Sequence, residues 1–315
     1  MDVIMTAPRL AEPAVALLER VGARMHYMAP FPKAAEVAAL ARTVDAVGIL
    51  SRQGPVTAEV MDAAPGLRIV ARHGVGVDDV DLAEAARRGI VVTRAPGSNT
   101  IAVAEHTLAL ILAMAKRLLP LTAQLAAGGW RGAADKTRDL AGLRLGLVGC
   151  GAIGRAVARL ATPFGMEVAG YSRSGTGATG IAMVPDLPSL LRRSDVLSLH
   201  MPLTPATRHM IGAAELAQLP PGAFIVNTSR GGLIDEAALR AALDGGGLAA
   251  AGLDVFEDEP PAPDHWARGH ANVIVTPHVA GVTDGSLVNM GVMAAECIVA
   301  VLTGQAVPPE RLVRS

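Results

Sequence analysis

"LRLGLVGCGAIGRAVARLATPFG", residues 143–165, reads as strand, turn and helix in that order. An apolar run leads into Gly149, Gly151 and Gly154, which fill the spacing G-x-G-x-x-G. Each glycine has a physical task in such a turn. The first permits the tight bend, the second lets a pyrophosphate approach the backbone, and the third lets the helix pack closely on the strand. The helix start then presents free N–H groups and a positive dipole end to phosphate oxygens. In a chain with 34 glycines the spacing alone could be an ordinary turn. Context separates the two readings: a strand precedes it, a helix follows, and a second strand-like run, "MEVAGYS" (166–172), comes next. A dinucleotide-binding unit with a parallel, doubly wound, Rossmann-like sheet follows from that order.

The same alternation extends in both directions. Upstream, strand-like runs at 3–7, 23–28, 46–50, 67–72 and 90–94 alternate with helical stretches such as 34–44 and 81–89. Downstream, further runs stand at 196–200, 223–229, 248–255 and 273–278. The spacing predicts one long apolar helix over 101–126 and a last helix over 284–302. Alternating strands and helices argue for βα units and parallel sheets. A length of 315 residues suits two domains, and a composition 51% hydrophobic but only 3% aromatic suits sheets built from small aliphatic side chains. The formal net charge of −1 gives no basic footprint for nucleic acid or an anionic membrane. Two cysteines, without a CxxC pattern, suit a reducing cytoplasm. The N-terminus has no signal-peptide pattern, and the most apolar long segment, 107–119, is too short for a membrane span. A soluble cytoplasmic protein is therefore expected.

The second strand of the glycine-turn unit runs into "YSRSGTG" (171–177), where an acidic residue would normally hold the adenosine ribose. Glu167 is the nearest carboxylate, but it begins the strand, roughly 15 Å from the end where ligands gather. Ser172, Arg173 and Ser174 occupy the usual acidic position instead. A carboxylate would repel a 2′-phosphate, whereas a hydroxyl can donate to it and a guanidinium can clamp it. NADP(H) is the expected cofactor. The alternative, Arg173 as a solvated loop charge with NAD retained, stays open.

Three later strand ends carry polar groups: "VNTSRGGLID" (226–235), "LDVFEDEP" (253–260) and "VTPHVAG" (275–281). With "ARHGVGVDDVDLAEAARRGI", "NTIAVAEHTLALIL", "GLVGCGAIGR" and "HMPLTPATRHMIG", these segments make nearly the whole chain resemble the D-isomer-specific 2-hydroxyacid dehydrogenases. The resemblance implies Arg230 as substrate clamp and Glu259–His278 as acid/base pair. The residue types suit reduction of a 2-keto acid. Histidine donates a proton near neutral pH, a carboxylate orients it, and arginine binds the substrate carboxylate and polarises the ketone. Each of the three, taken singly, could instead be a local structural residue.

The resemblance also implies cofactor contacts from Ala152, Ile153, Met201, Pro202, Thr228, Ser229, Ala280 and Gly281, with Asp254 facing the nicotinamide. Backbone amides of Gly74, Val75 and Gly76 would hold the substrate carboxylate. Arg72 and Arg52 are candidates for the substrate's distal end. Arg52 stands one place beyond the position expected for a phosphoglycerate enzyme, where Ser51 is found, and one step in an extended segment reverses the side chain. His106 reads as a packed helix residue and His200 as a lining residue. No histidine or cysteine spacing suggests a metal. The implied architecture is a discontinuous substrate domain, 1–96 with 284–315, and a cofactor domain, 97–283, with the active site in a cleft. No regulatory domain is expected after the last helix. A homodimer is expected through the helix at 101–126 and the Trp130 region. The expected activity is NADP(H)-preferring reduction of glyoxylate, hydroxypyruvate or a similar small acid. The alternatives are an NAD-using 3-phosphoglycerate dehydrogenase-like enzyme and a non-catalytic dinucleotide sensor.

Overall fold

The computed structural model describes residues 1–173 and 180–313. Two compact units are present: Met1–Asn99 with Val282–Ser315, and Thr100–Gly281. The first holds a five-stranded parallel sheet of β1 (Asp2–Met5), β2 (Arg24–Tyr27), β3 (Gly48–Ser51), β4 (Ile69–Arg72) and β5 (Val91–Thr93). Its strand order is β2-β1-β3-β4-β5, a doubly wound arrangement whose order reverses at β1. Side chains alternate between two covered faces. Ile4, Ile49 and Val70 pack under the helices Ala34–Val44 and Ala58–Ala63, while Val3, Met5, Leu50 and Ile69 pack under Glu12–Glu19 and Asp284–Leu302. Each such fully buried aliphatic contributes roughly 1.5–3 kcal/mol relative to exposure.

The second unit holds β6 (Arg144–Val148), β7 (Glu167–Tyr171), β8 (Ala182–Met183), β9 (Val196–Leu199), β10 (Ala223–Asn227), β11 (Leu248–Leu253) and β12 (Val273–Val275). All seven are parallel, in the order β12-β11-β10-β9-β6-β7-β8. The reversal falls at β6, the strand before the glycine turn. That is the place where an open α/β sheet leaves a crevice for a ligand. Leu145, Leu147, Val196 and Val226 face one core with Leu108, Ile111 and Val157, and Leu197, Leu199 and Ile225 face the other with Leu190, Leu216 and Leu239.

The structure departs from the sequence reading in two places. The apolar stretch 101–126 is two helices, Thr100–Ala115 and Leu118–Ala126, bent by 56°. Arg117 turns left-handed at φ 48°, and Pro120 supplies the cause. Its ring has no N–H for the carbonyl of Lys116 and would collide with it if the helix continued. The edge strand β8 has two residues and so carried no readable period. The long helix Asp284–Leu302 has 19 residues and contains an 18-residue stretch of mean hydropathy 1.8. By length and composition it could cross a bilayer, yet in this unit Ala294, Ala295 and Ile298 lie in the core against β1, β3 and β4. Its start is capped by the Thr283 hydroxyl, which accepts from Ser286 N.

Candidate active site

In the second unit every sequence-expected site residue within the described chain follows the carboxyl end of a strand. Gly149 comes after β6, Ser172 after β7, Met201 after β9, Thr228 after β10, Asp254 after β11 and His278 after β12.

The glycine turn is shaped by backbone contact. Gly149 has φ +99°, and a Cβ there would lie 2.4 Å from the His200 carbonyl oxygen. A Cβ on Gly154 would lie 2.2 Å from the Gly149 oxygen, so the helix sits directly against the strand end. Gly151, in contrast, would point a Cβ into open space. The helix Ala152–Ala161 starts there. Its first intrahelical bond runs from Arg155 N to Gly151 O, which leaves the N–H groups of Ala152, Ile153 and Gly154 without an intrahelical acceptor. Room above Gly151 and outward N–H groups fit a pyrophosphate.

At the end of β7, Ser172 has a buried Oγ with no hydrogen-bond partner among the described residues, and Arg173 is exposed. A buried hydroxyl without a partner suits a ligand oxygen at this place. Glu167 pairs with Arg144 at the far end of the sheet register, while Tyr171 pairs with Val148, so the strand's acidic residue is remote from the turn. Ser174 lies outside the described residues.

The His278 ring donates through Nδ1 to Glu259 Oε2 at 2.6 Å, leaving Nε2 as the ring nitrogen not engaged with Glu259. The His278 side chain is 49% exposed. Glu259 Oε1 accepts from Phe256 N at 3.0 Å. Burial would raise the Glu259 carboxyl, but its bond to His278, the His278 charge, the Phe256 N–H and the Arg230 charge together outweigh burial and lower it. Glu259 is therefore an ionised acceptor that orients the imidazole. Arg230 is carried by the loop after β10. Asn227 fastens that loop: its Nδ2 donates to Arg230 O and its Oδ1 accepts from Ser229 N. A Cβ on Gly231 would overlap the Phe256 carbonyl carbon, so the Arg230 and Glu259 loops run in backbone contact.

Several expected cofactor residues have hydroxyls bound within the fold. Thr228 Oγ1 bonds Thr107 Oγ1 at 2.9 Å, and Ser229 Oγ donates to Leu199 O. Met201 packs on the core, and Pro202 O accepts from the Thr207 hydroxyl. Asp254 is fully buried, and both its oxygens are engaged: Oδ1 accepts from Thr276 Oγ1 and Val279 N, and Oδ2 accepts from Ala280 N. Gly281 follows this clamp. His200 bonds Ser198 Oγ through Nε2, and burial pushes its imidazole down to about 4.

In the first unit, Arg72 closes β4 and is engaged with protein acceptors. Nε donates to Gly76 O, Nη1 donates to Ser51 O and Arg52 O, and Asp79 lies at 3.1 Å. It braces the loop of Gly74, Val75 and Gly76 instead of reaching outward. Among the described residues, the N–H groups of Val75 and Gly76 meet no protein acceptor. Ser51 is fully buried, and Arg52, the next residue, is partly exposed, with burial lowering its guanidinium. Among the described residues the Arg52 side chain forms no ion pair or hydrogen bond.

Sequence reasoning missed Asn227 and the part His106 plays beside Thr276. A lone amide ending the apolar run "AFIVN" was the available signal for the first. Among the described residues there is no group of three metal-ligating side chains. Both cysteines are buried and unpaired.

Comparison with known proteins gives a consistent picture. The profile of the "D-isomer specific 2-hydroxyacid dehydrogenase, NAD binding domain" matches residues 108–280. The chain is 39% identical to a D-3-phosphoglycerate dehydrogenase of Methanocaldococcus jannaschii, over 97% of this chain and 58% of that protein. It thus spans little more than half of that relative's length. It is 42% identical to a glyoxylate reductase of Korarchaeum cryptofilum, over 81% of this chain and 79% of the relative. Among solved structures, a Thermus thermophilus protein superposes with a TM-score of 0.91 at 38% identity, each chain covered completely. An NADPH-dependent glyoxylate/hydroxypyruvate reductase of Sinorhizobium meliloti superposes with a TM-score of 0.85 at 32% identity, covering 99% of this chain and 98% of the other.

Proposed function

The chain belongs to the D-isomer-specific 2-hydroxyacid dehydrogenase family, and from that premise we propose that it reduces a small 2-keto acid to the D-2-hydroxy acid with NADP(H). The observation that carries the reading is the His278 Nδ1–Glu259 Oε2 bond of 2.6 Å beside the Arg230 loop. A nicotinamide dinucleotide, when bound, gives or takes the hydride at C2. The chain's residues do the remainder. Glu259 holds the imidazole by Nδ1, so Nε2 delivers the proton to the forming alkoxide oxygen and takes it back in the reverse direction. Arg230 binds the substrate carboxylate and draws electron density from the ketone. In the first unit, taken by itself, the Val75 and Gly76 amides are two N–H donors suited to a carboxylate.

Preference for NADP(H) is supported by the Ser172 hydroxyl, without a partner among the described residues, and by exposed Arg173 where a carboxylate would otherwise stand. An NADPH-dependent relative of the same fold is in keeping with it. Turnover with glyoxylate and hydroxypyruvate, each run with NADPH and NADH, tests both parts. A higher kcat/KM with NADPH is expected. A strong NADH preference rejects the cofactor assignment, and dinucleotide binding without turnover favours a sensor.

Arg52 favours a second substrate reading. A half-buried guanidinium with no partner among the described residues suits a keto acid that bears a distal phosphate, as in a 3-phosphoglycerate dehydrogenase-like enzyme. Adding phosphohydroxypyruvate to the panel decides between the two. The partner we propose for the exposed Leu118, Leu119, Leu125 and Trp130 is a second copy of the chain, since the helix Leu118–Ala126 buries none of its own residues. A dimer in sedimentation, weakened by Trp130→Glu, is the expected result.

A further inference from the structure

The segment that carries His278 is wrapped around a buried carboxylate. Asp254, 1% exposed in its side chain, accepts from Val279 N at 2.9 Å and Ala280 N at 2.8 Å, on the C-terminal side of His278. It also accepts from Thr276 Oγ1 at 2.6 Å, on the N-terminal side. His278 N itself donates to Asp254 O at 2.8 Å. Between these anchors His278 takes φ +52°, a left-handed conformation that a non-glycine residue keeps only when its surroundings impose it.

Thr276 has one hydroxyl proton, and Asp254 takes it. The second polar neighbour of Thr276 Oγ1 is His106 Nε2, at 3.0 Å. Thr276 must accept there, so His106 carries a proton on Nε2 and donates. The same nitrogen lies 3.7 Å from Asp254 Oδ1. His106 stands on the helix Thr100–Ala115, within the same unit as all the residues it reaches.

We infer that His106 is a positioning residue for His278, acting through Thr276 and Asp254. Its N–H fixes the rotamer in which Thr276 donates to Asp254. Asp254 then holds both flanks of His278, and the left-handed turn aims the imidazole that Glu259 orients from the other side. Without the His106 donor the Thr276 hydroxyl is free to rotate and the clamp loses one of its three bonds. The segment relaxes, and the proton-donating nitrogen leaves its place. The inference rests on His278 as the proton donor, and the experiment separates the two.

The test is a double-mutant cycle on the full-length protein, with His106→Leu, Thr276→Val and the pair, beside His106→Gln and His278→Asn. Steady-state turnover of glyoxylate is read together with NADPH affinity from nucleotide fluorescence and with thermal melting. His106→Leu should lower kcat on the order of tenfold, since a small misplacement of a reacting group has that scale of effect. NADPH affinity should fall by less than kcat, because the glycine turn that fits the pyrophosphate is untouched. Thr276→Val should match it, and the pair should lose about tenfold again, not a hundredfold, because both act on one chain of bonds. His106→Gln, which keeps a donor without a ring, should recover at least about half of kcat. A kcat for His106→Leu within about twofold of the parent overturns the inference. So do multiplicative losses in the pair, or a Gln variant no better than Leu. Those results with an inactive His278→Asn leave the proton-donor assignment standing. An active His278→Asn would remove that assignment itself.

Discussion

The loop after β4 and the turn after β6 begin from the same sequence signal, glycines directly beyond a parallel strand, and are built by opposite means. The turn of Gly149, Gly151 and Gly154 is held by backbone against backbone, with the His200 and Gly149 carbonyls standing where side chains would be. The loop of Gly74, Val75 and Gly76 is held by a side chain, Arg72, which donates to three carbonyls and pairs with Asp79. The first arrangement tolerates no added atom on Gly149 or Gly154. The second tolerates atoms but not the loss of one planar guanidinium. The two units also divide the chemistry. The first offers N–H groups and the Arg52 cation, and the second holds the paired imidazole and carboxylate.

Four experiments would break or sharpen this contrast. The largest effect is expected for His278→Asn, which should lower kcat by about 10²- to 10⁴-fold while NADPH affinity changes little, because only proton transfer is lost. Single-turnover rates with pre-bound nucleotide check it. Next, Gly149→Ala should weaken dinucleotide binding by about 10- to 100-fold, from positive-φ strain and the collision with His200 O. Fluorescence titration reads that loss, and wild-type affinity would show that the turn yields.

The third concerns stability. His73 is buried in the first unit, and burial, with Arg52 and Arg72 nearby, lowers its imidazole from 6.5 to about 4. The unfolded chain takes up a proton below pH 6.5 that the folded chain refuses down to about pH 4. Stability is therefore unaffected above pH 6.5 and falls as pH drops from there towards 4. His73→Leu should remove roughly 2 kcal/mol of the loss between about pH 7 and pH 5. Urea unfolding at the two pH values measures it, and an unchanged slope would reject the assignment. Smallest is Arg72→Lys, which keeps the charge but not the fork. KM for the keto acid should rise about tenfold with NADPH affinity unchanged.

Much of the fold was legible because its signals are local. The last helix was readable over 284–302, and it spans Asp284–Leu302. Strand runs were readable because both sheets are covered on two faces, so their strands are continuously apolar. The break at Arg117 was less visible, since a proline at the third position of a helix resembles a permitted start. The candidate site divides in the same way. One arginine, one histidine and several carboxylates stood out at the ends of apolar runs, and the family resemblance singled out Arg230, Glu259 and His278 among them. The engagement of Asp254 did not, because its partners come from Thr276, Val279 and Ala280, and the His106 link crosses 170 residues of sequence.

By itself the sequence determined the two parallel α/β units, the glycine turn and the residue types able to move a proton. Periodicity and short motifs depend only on neighbouring residues, and these features need nothing more. The tertiary structure decided which polar groups have partners within the protein and which remain for a ligand. Arg72, Thr228, Ser229 and Asp254 proved to be engaged, and the Arg52 side chain and the Ser172 hydroxyl have no partner among the described residues. Hydrogen-bond satisfaction depends on distances between residues far apart in the chain, and folding alone sets those distances.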